Sequence, residues 1–306
     1  MKREKLNIKK KIKRKIELRL NKNNKLVTMN EREKLRNSNE KNVNLIDVKS
    51  FSRNEIRTGA NLIPSINRDL YSIDSYIKIL NEDIESPDNI KILFLISNYE
   101  RKRMLNKLIN EIQKFNSNHI IIDYMIFDDC SSYEINDKNL IINKTHRGKE
   151  EYWITFNEMF KYAEKHVYDI YVFTPNDFLK YDFEKIINYG IKFKNIPYVF
   201  NIINDGREKC WNNIMPIILT EEIRLQFFTD CGFFTNYETL SKLSFTVNEI
   251  PIRGKLIGSQ VGAQLTDRLN SQYIPIFTPI KSIAYHGEHL SLMNPELRKE
   301  NKLISL

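Results

Sequence analysis

Blocks of apolar residues alternate with amphipathic segments from about residue 90 onward. Residues 92–96 form an unbroken apolar run that ends in polar residues, as a buried strand does where it enters a loop. In residues 101–115, apolar positions recur every three or four residues, which predicts an amphipathic helix. A second apolar run, 119–127, predicts another strand. The segment therefore follows the order strand, helix, strand, and polar residues come after each strand.

The alternation continues with a short strand predicted at 140–143, a helix at 150–166 and a third main strand at 169–174. Alternating strands and helices form largely parallel sheets that are covered on both faces. We therefore predict an α/β fold with a Rossmann-like, mostly parallel central sheet flanked by helices. Ligands of such sheets bind beyond the carboxyl ends of the strands, so the polar strand ends are expected to meet in one crevice.

The last third of the chain is less regular. We predict strands near 198–203, 232–235 and 282–285, and helices near 220–228 and 261–270. Changes in composition and periodicity predict three parts: a basic N-terminal arm with its linker (1–60), a helical lead-in (61–89) and a main domain (90–306).

The composition is that of a water-soluble globular protein, since 41% of the residues are hydrophobic and 28% are charged. It excludes collagen, coiled coil and disorder throughout. No run approaches the roughly 20 apolar residues of a membrane-spanning helix, and no apolar signal-peptide core follows the basic N-terminus. The three cysteines, Cys130, Cys210 and Cys231, are too few for a disulfide framework, and we expect them to be reduced and half-buried. Both observations predict a cytoplasmic protein.

The net charge of +9 is concentrated in the first 40 residues, which hold 15 Lys and Arg against 5 Glu. The rest of the chain holds 33 basic against 34 acidic residues, so a near-neutral body carries a basic arm. An apolar residue recurs every fourth position at Ile8, Ile12, Ile16 and Leu20, which is typical of a basic amphipathic helix. Such an arm suits a solubilising tail, contact with a nucleic-acid backbone, or peripheral contact with an anionic membrane.

Three strand ends carry polar motifs: Ser97-Asn98-Tyr99-Glu100-Arg101, Asp128-Asp129-Cys130-Ser131-Ser132 and Pro175-Asn176-Asp177. Their order and spacing resemble those of GT-A glycosyltransferases of the family 2 type, over about residues 90–290. That family has Pro-x-Tyr-Asn-Arg, Val-Asp-Asp-Gly-Ser and an Asp-x-Asp metal motif at these places. The resemblance implies a hexosyl- or pentosyltransferase with a nucleotide-sugar donor, and a UDP-sugar is the first expectation.

The resemblance also implies which residues bind the donor: Ser97, Asn98, Tyr99, Arg101, Asp128, Asp129, Arg147, Gly148 and Asn176. Asp128 can accept a hydrogen bond from a pyrimidine imide N–H, and Tyr99 offers a flat face to the base. Arg147 and Gly148 fall where the family has a glycine-containing loop near the donor, and a cationic loop suits phosphate. The aspartates and Asn176 also suit strand-end turns, in which a short polar side chain caps backbone amides.

Asp177 and His286 are the expected ligands of a divalent cation, Mn²⁺ or Mg²⁺. The cation would join the Asp177 carboxylate to the donor's diphosphate and stabilise the leaving group, so we also count Asp177 as catalytic. The first acidic position of the family's metal motif is Asn176 here, which removes one negative charge from the site.

An inverting enzyme of this type needs a general base on the acceptor side, and the family places a carboxylate before a late helix. The matching stretch here, 258–262, offers only Gln260, which cannot take a proton. Three alternatives follow. Asp230 serves as the base, the reaction retains configuration, or the chain is an inactive GT-A-like binding module.

Residues 286–299, together with 147–153, further resemble GT-A-like enzymes of bacteriophages, some of which sugar-modify hydroxymethylated pyrimidines in DNA. This resemblance implies a DNA acceptor, which the basic arm would hold through phosphate contacts, and a location in the host cytoplasm. A glycosyltransferase for cell-envelope glycan, which the same arm would seat on the membrane, is the alternative.

Overall fold

The computed structural model describes residues 73–83, 89–117, 119–148, 150–204, 216–230, 232–248 and 261–286. The predicted arm and linker, residues 1–60, and Gln260 lie outside the described residues. Within the predicted lead-in, residues 73–81 are helical. No helix in the described part of the chain combines the length and the apolar character needed to cross a membrane.

Helices and strands alternate along the first half of the described chain and are shorter in the second half. The helices are α1 (Ile73–Asn81), α2 (Lys102–Phe115), α3 (Tyr152–Lys165), α4 (Phe183–Lys192), α5 (Tyr237–Lys242) and α6 (Val261–Ser271). The strands are β1 (Ile90–Asn98), β2 (Ile120–Asp128), β3 (Leu140–Ile142), β4 (Ile170–Pro175), β5 (Phe178–Leu179), β6 (Val199–Asn201), β7 (Ile217–Ile218), β8 (Ile223–Gln226), β9 (Phe233–Thr235), β10 (Ile276–Pro279) and β11 (Tyr285–His286).

Nine of the strands form one sheet in the order β3-β2-β1-β4-β9-β6-β10-β8-β7. The neighbours β3, β2, β1 and β4 are parallel to one another. β9 and β8 are antiparallel to the strands beside them, whereas β6 and β10 pair in parallel. β5 and β11 form a separate two-stranded ribbon. The predicted fold class, an α/β fold with a mostly parallel central sheet, is confirmed.

Helices flank both faces of this sheet, as the contacts of the inner strand β1 show. Leu93 and Leu95 belong to a buried cluster with residues of α3 and α6. Phe94, which points to the opposite face because side chains alternate along a strand, contacts the rings of Tyr181 and Phe183 instead. All five residues are at least nine-tenths buried. The continuous apolar run in β1 therefore reflects a strand that is covered on both sides.

The helix predicted near 220–228 is wrong, because this segment contains the strand β8. Ile223 and Leu225 are buried and the intervening Arg224 is half-buried, which is the period of a strand. β8 pairs with β10 on one side and with the short β7 on the other. The two-residue alternation covers only residues 223–225, and that is too short to stand out from helical spacing in the sequence.

Cys130 is exposed, where the sequence analysis predicts a half-buried thiol. It directly follows the acidic pair at the end of β2 and has a left-handed backbone conformation, with φ of 62°. Its Sγ lies 3.9 Å from the Lys144 carbonyl oxygen, in the solvent-exposed turn.

Candidate functional site

The carboxyl ends of β1, β2 and β4 meet at one edge of the sheet, as the alternation predicts. Asn98 and Asp128 are the last residues of β1 and β2 and lie opposite each other in the parallel register. The Asn98 amide donates to Asp128 Oδ1 over 2.5 Å, and the Asn176 amide, just beyond β4, donates to Asn98 Oδ1 over 2.5 Å. All three side chains are buried. A continuous chain of hydrogen bonds therefore joins the three strand ends.

The loops beyond these strand ends are tied together by residues that the sequence analysis did not assign to the site. The Glu100 carboxylate accepts from the backbone N–H of Ser132 over 2.8 Å and from its hydroxyl over 2.9 Å. The Tyr133 hydroxyl donates to the Glu100 carbonyl oxygen over 3.0 Å. Only their position in the sequence could have indicated that Glu100, Ser132 and Tyr133 belong to the site, since each lies within five residues of a strand end.

Asp128 orders the turn that follows β2. Its side chain accepts from the Ser131 backbone N–H over 2.9 Å and from the Ser131 hydroxyl over 2.6 Å, in addition to the amide of Asn98. The residue is 2% exposed. This geometry matches the strand-end turn that the sequence also suits, and the predicted contact between Asp128 and a donor base stays a prediction.

Asp129 holds the loop after β3. Its two carboxylate oxygens accept from the backbone N–H groups of Arg147 over 2.8 Å and Gly148 over 2.9 Å. Gly148 has φ of +59°, a left-handed conformation that glycine adopts without strain. The His146 ring lies 2.9 Å from Asp129 through Nδ1 and stacks on Tyr99, with ring centroids 4.0 Å apart. Tyr99 and the 145–148 loop therefore form one unit, and Asp129 fixes it.

Two predicted donor-binding residues turn their side chains towards α3. The Arg147 guanidinium makes a two-pronged ion pair with Glu158, over 2.7 and 2.8 Å, which raises the pKa of Arg147 above its ordinary value. The Ser97 hydroxyl accepts from the Tyr152 hydroxyl over 3.0 Å. In this structure their polar groups therefore hold α3 against the loops, and a role of either residue at the donor stays a prediction.

Asp177 is the charged centre of the site and is 7% exposed. Its Oδ2 makes an ion pair with the Arg101 guanidinium and lies 3.7 Å from Nδ1 of His286. Pairing of β5 with β11 places His286 opposite Phe178, the residue that follows Asp177. Burial alone would raise the pKa of Asp177, but His286 and then Arg101 outweigh it, so this pKa lies below its ordinary value.

The residues around Asp177 fit a divalent cation. Nδ1 of His286 is buried and makes no hydrogen bond, and it lies beside the Asp177 carboxylate. Imidazole nitrogen and carboxylate oxygen are both metal ligands. No cluster of three or more His, Cys, Asp or Glu side chains suited to a metal occurs in the described ranges. The diphosphate of a donor and water would therefore complete the coordination of a cation held by this pair.

Asp230 lies at the same edge of the sheet, between β8 and β9. The preceding Thr229 is fully buried: its backbone N–H donates to the Thr266 hydroxyl over 3.0 Å, and its own hydroxyl donates to Asn201 Oδ1 over 2.7 Å. Asp230 itself lies against Gly262 in the first turn of α6. A Cβ at Gly262 would be 2.9 Å from Asp230 Oδ1. A buried polar network on one side and a close helix on the other thus fix this carboxylate.

Gly262→Ala is expected to destabilise the protein by about 1 to 3 kcal/mol, since the new Cβ would be 2.8 Å from the Thr229 carbonyl oxygen and would displace Asp230. Alanine ordinarily stabilises a helix by up to about 1 kcal/mol relative to glycine, so the sign of the change is diagnostic. Thermal unfolding of the variant and the wild type measures it. An increase in stability would contradict the close contact.

No protein-family model and no curated protein matches this chain. Among solved structures, it is similar to residues 1–349 of S. aureus TarS, with 15% identity and a TM-score of 0.44 over 65% of this chain and 61% of that one. It is also similar to the mannosyltransferase PcManGT from Pyrobaculum calidifontis in complex with GDP-Man and Mn²⁺, with 12% identity and a TM-score of 0.44 over 71% and 65% of the two chains. GalNAc-T7 with UDP, GalNAc and Mn²⁺ gives 8% identity and a TM-score of 0.38 over 65% and 45%. Each overlap spans less than two thirds of the other protein.

Proposed function

We propose that this protein is a metal-dependent glycosyltransferase of the GT-A type that moves a sugar from a nucleotide-sugar donor to an acceptor hydroxyl. The observation that carries the proposal is the pairing of Asp177 with His286. These residues are far apart in the sequence, yet the β5–β11 ribbon brings the buried and unbonded His286 Nδ1 to 3.7 Å from the Asp177 carboxylate. The strand ends beside this pair carry sequences that resemble the motifs of the family.

Different described residues would bind different parts of the donor. Tyr99, with His146 stacked on it, offers an aromatic surface for a base, and Asp128 and Asp129 shape the loops on either side. Asp177 and His286 would hold the cation, which stabilises the negative charge of the departing nucleoside diphosphate when it is bound. We favour a UDP-sugar as the donor, because the Asp128 carboxylate could accept a hydrogen bond from the uracil N–H and the Tyr99 ring could lie against the face of the base.

Asp230 is the proposed general base for an inverting transfer. It accepts the proton of the acceptor hydroxyl while the acceptor oxygen forms a bond to the anomeric carbon and the bond to the diphosphate oxygen breaks. Its fixed position against α6, at the same edge of the sheet as Asp177, supports this role. Retention of configuration and an inactive GT-A-like binding module are the competing outcomes.

The proposed acceptor is a nucleic acid, specifically a hydroxymethylpyrimidine in phage DNA, and the proposed location is the host cytoplasm. The support is the basic arm, which carries 15 Lys and Arg in 40 residues ahead of a near-neutral body. A duplex acceptor is held through its phosphates, and these contacts carry no sequence information. A cell-envelope glycan is the second candidate, because the apolar stripe from Ile8 to Leu20 suits insertion into an anionic membrane surface.

A panel of nucleotide sugars tests the activity directly. Nucleoside diphosphate release is measured with Mn²⁺, with and without hydroxymethylated DNA, and again with excess chelator. We expect one donor to be used, release to rise when the acceptor is present, and chelator to abolish it. The absence of both donor binding and release across the panel would overturn the proposed function.

Deletion of residues 1–40 is expected to weaken binding to duplex DNA and to flatten the dependence of log K on log salt, while hydrolysis of the donor in the absence of acceptor stays unchanged. Each neutralised phosphate adds about 0.9 to the salt slope, so the change in slope gives the number of phosphates that the arm neutralises. Binding of the full-length and shortened chains is measured as a function of salt.

The same pair of proteins separates the two acceptors. If the arm seats on a membrane instead, its deletion abolishes sedimentation with anionic vesicles and leaves DNA affinity unchanged. In that case Ile12→Asp and Ile16→Asp would matter as much as the removal of lysines, because insertion needs the apolar stripe and phosphate contact does not. Unchanged DNA binding in the shortened chain would contradict the nucleic-acid acceptor.

A further inference from the structure

We infer that Arg101 is a built-in counter-cation for Asp177, which gives up this carboxylate when a divalent cation binds and turns to the diphosphate of the donor. The inference rests on the proposed function, since it concerns the same metal and donor site. It assigns to Arg101 control over cation affinity and over the order in which cation and diphosphate bind.

The first observation is that Arg101 and His286 both approach the same oxygen. Oδ2 of Asp177 makes the ion pair with Arg101 and is also the carboxylate oxygen nearest to Nδ1 of His286. The Arg101 and Asp177 side chains are 13% and 10% exposed, so the pair is largely shielded from water. A cation that bound this oxygen and His286 would have to share the oxygen with the guanidinium or displace the guanidinium from it.

The backbone around Arg101 concerns the second part of the inference, in which the guanidinium turns to the diphosphate. Arg101 and the preceding Glu100 both adopt left-handed conformations, with φ of 62° and 53°. For residues other than glycine such conformations are sterically unfavourable, and they persist only where the surroundings impose them. Here they place Arg101 at the N-cap position of α2 with no hydrogen bond from its side chain to the helix. A guanidinium has only donors and could not cap the helix N–H groups in any case. Its ion pair with Asp177 directs it into the site.

Two other polar side chains near the site are already engaged within the protein. The Asn176 NH₂ group, at the first position of the expected metal motif, donates to Asn98 Oδ1 and to the Glu100 carbonyl oxygen. The Arg147 guanidinium is occupied by Glu158. Arg101 is thus the cationic side chain that the described residues place on the central carboxylate, and its planar fork suits the oxygens of a diphosphate.

Binding of Mn²⁺ alone, without donor, tests the first step. The full-length wild type is compared with Arg101→Gln, and with Arg103→Gln as a matched control that removes one exposed positive charge two residues away. We expect Arg101→Gln to bind Mn²⁺ at least about tenfold more tightly, because a unit charge at contact distance is removed, and the control to change little. Calorimetry gives the affinities, and thermal unfolding checks that each variant is folded. Arg101→Lys keeps the charge but not the planar guanidinium, and we expect its affinity for Mn²⁺ to lie between those of the wild type and Arg101→Gln.

Inorganic pyrophosphate, a probe that is independent of the base, tests the second step. Without Mn²⁺, Arg101→Gln should bind it nearly as the wild type does, because the wild-type guanidinium is engaged with Asp177. With saturating Mn²⁺, the variant should bind it about tenfold more weakly. A residue that only stabilised the fold would not shift the two ligands in opposite directions.

Equal or weaker Mn²⁺ affinity in folded Arg101→Gln would overturn the inference and leave the proposed function standing. If neither wild type nor variant binds Mn²⁺, the inference and the metal site both fail, and donor release in chelator then decides whether transfer occurs without metal. Mn²⁺ binding that appears only in Arg101→Gln would support the inference in its strongest form, with Arg101 blocking the site.

Discussion

Asp177→Asn is expected to lower the rate of glycosyl transfer by about a thousandfold or more, which corresponds to roughly 4 kcal/mol of lost transition-state stabilisation. The substitution keeps the size of the side chain but removes the negative charge that would hold the cation. A neutral amide beside His286 leaves the departing diphosphate without its counter-charge. The measurement is kcat/KM for donor and acceptor at saturating Mn²⁺.

The control must separate chemistry from stability. Asp177 and Arg101 form a largely buried ion pair, and removing one partner of such a pair costs about 3 to 5 kcal/mol of folding free energy in well-shielded cases. The double variant Asp177→Asn/Arg101→Gln is neutral at both positions, so we expect it to regain thermal stability without regaining activity. Activity of folded Asp177→Asn within tenfold of wild type, or full wild-type activity in excess chelator, would contradict the role of Asp177.

The edge of the sheet that carries the site could be predicted from the sequence. The apolar runs of β1, β2 and β4 are long and end abruptly in polar residues, so both the strands and their shared carboxyl edge follow from local pattern. Asn98, Asp128 and Asn176 meet there in a chain of hydrogen bonds. The neighbourhood of Asp177 and His286 is expected only through the family resemblance, because no local pattern links residues so far apart.

The partners of the charged side chains could not be predicted in the same way. The family resemblance implies that Arg147 binds the donor, but its guanidinium pairs with Glu158 of α3. The sequence does not specify the path of the loop that brings the two residues together. The pairing of Arg101 with Asp177 depends on two left-handed residues in succession, which nothing in the residue types at positions 100 and 101 indicates. Such pairings are properties of the folded backbone, whereas apolar periodicity is a property of the chain.

Asp230→Asn is expected to slow transfer to the acceptor by about a hundredfold to ten-thousandfold while the affinities for Mn²⁺ and nucleoside diphosphate stay unchanged. The amide can occupy the same place against Gly262 but cannot take a proton. The fall should therefore appear in kcat, with little change in the KM for the donor. Asp267→Asn, which neutralises an exposed carboxylate on the same α6, is the matched control and should behave as wild type.

The anomeric configuration of the product makes this prediction decisive. If Asp230 is the base, the wild type inverts the configuration, because the acceptor oxygen attacks the anomeric carbon from the side opposite the diphosphate while Asp230 removes its proton. A retained configuration, read from the coupling constant of the anomeric proton, would exclude that role whatever the rate of Asp230→Asn. An inverted product together with full activity of folded Asp230→Asn would show that a group other than Asp230 takes the proton. In either case Gly262→Ala would then be expected to change stability but not kcat, since the contact between α6 and Asp230 would position no reacting group.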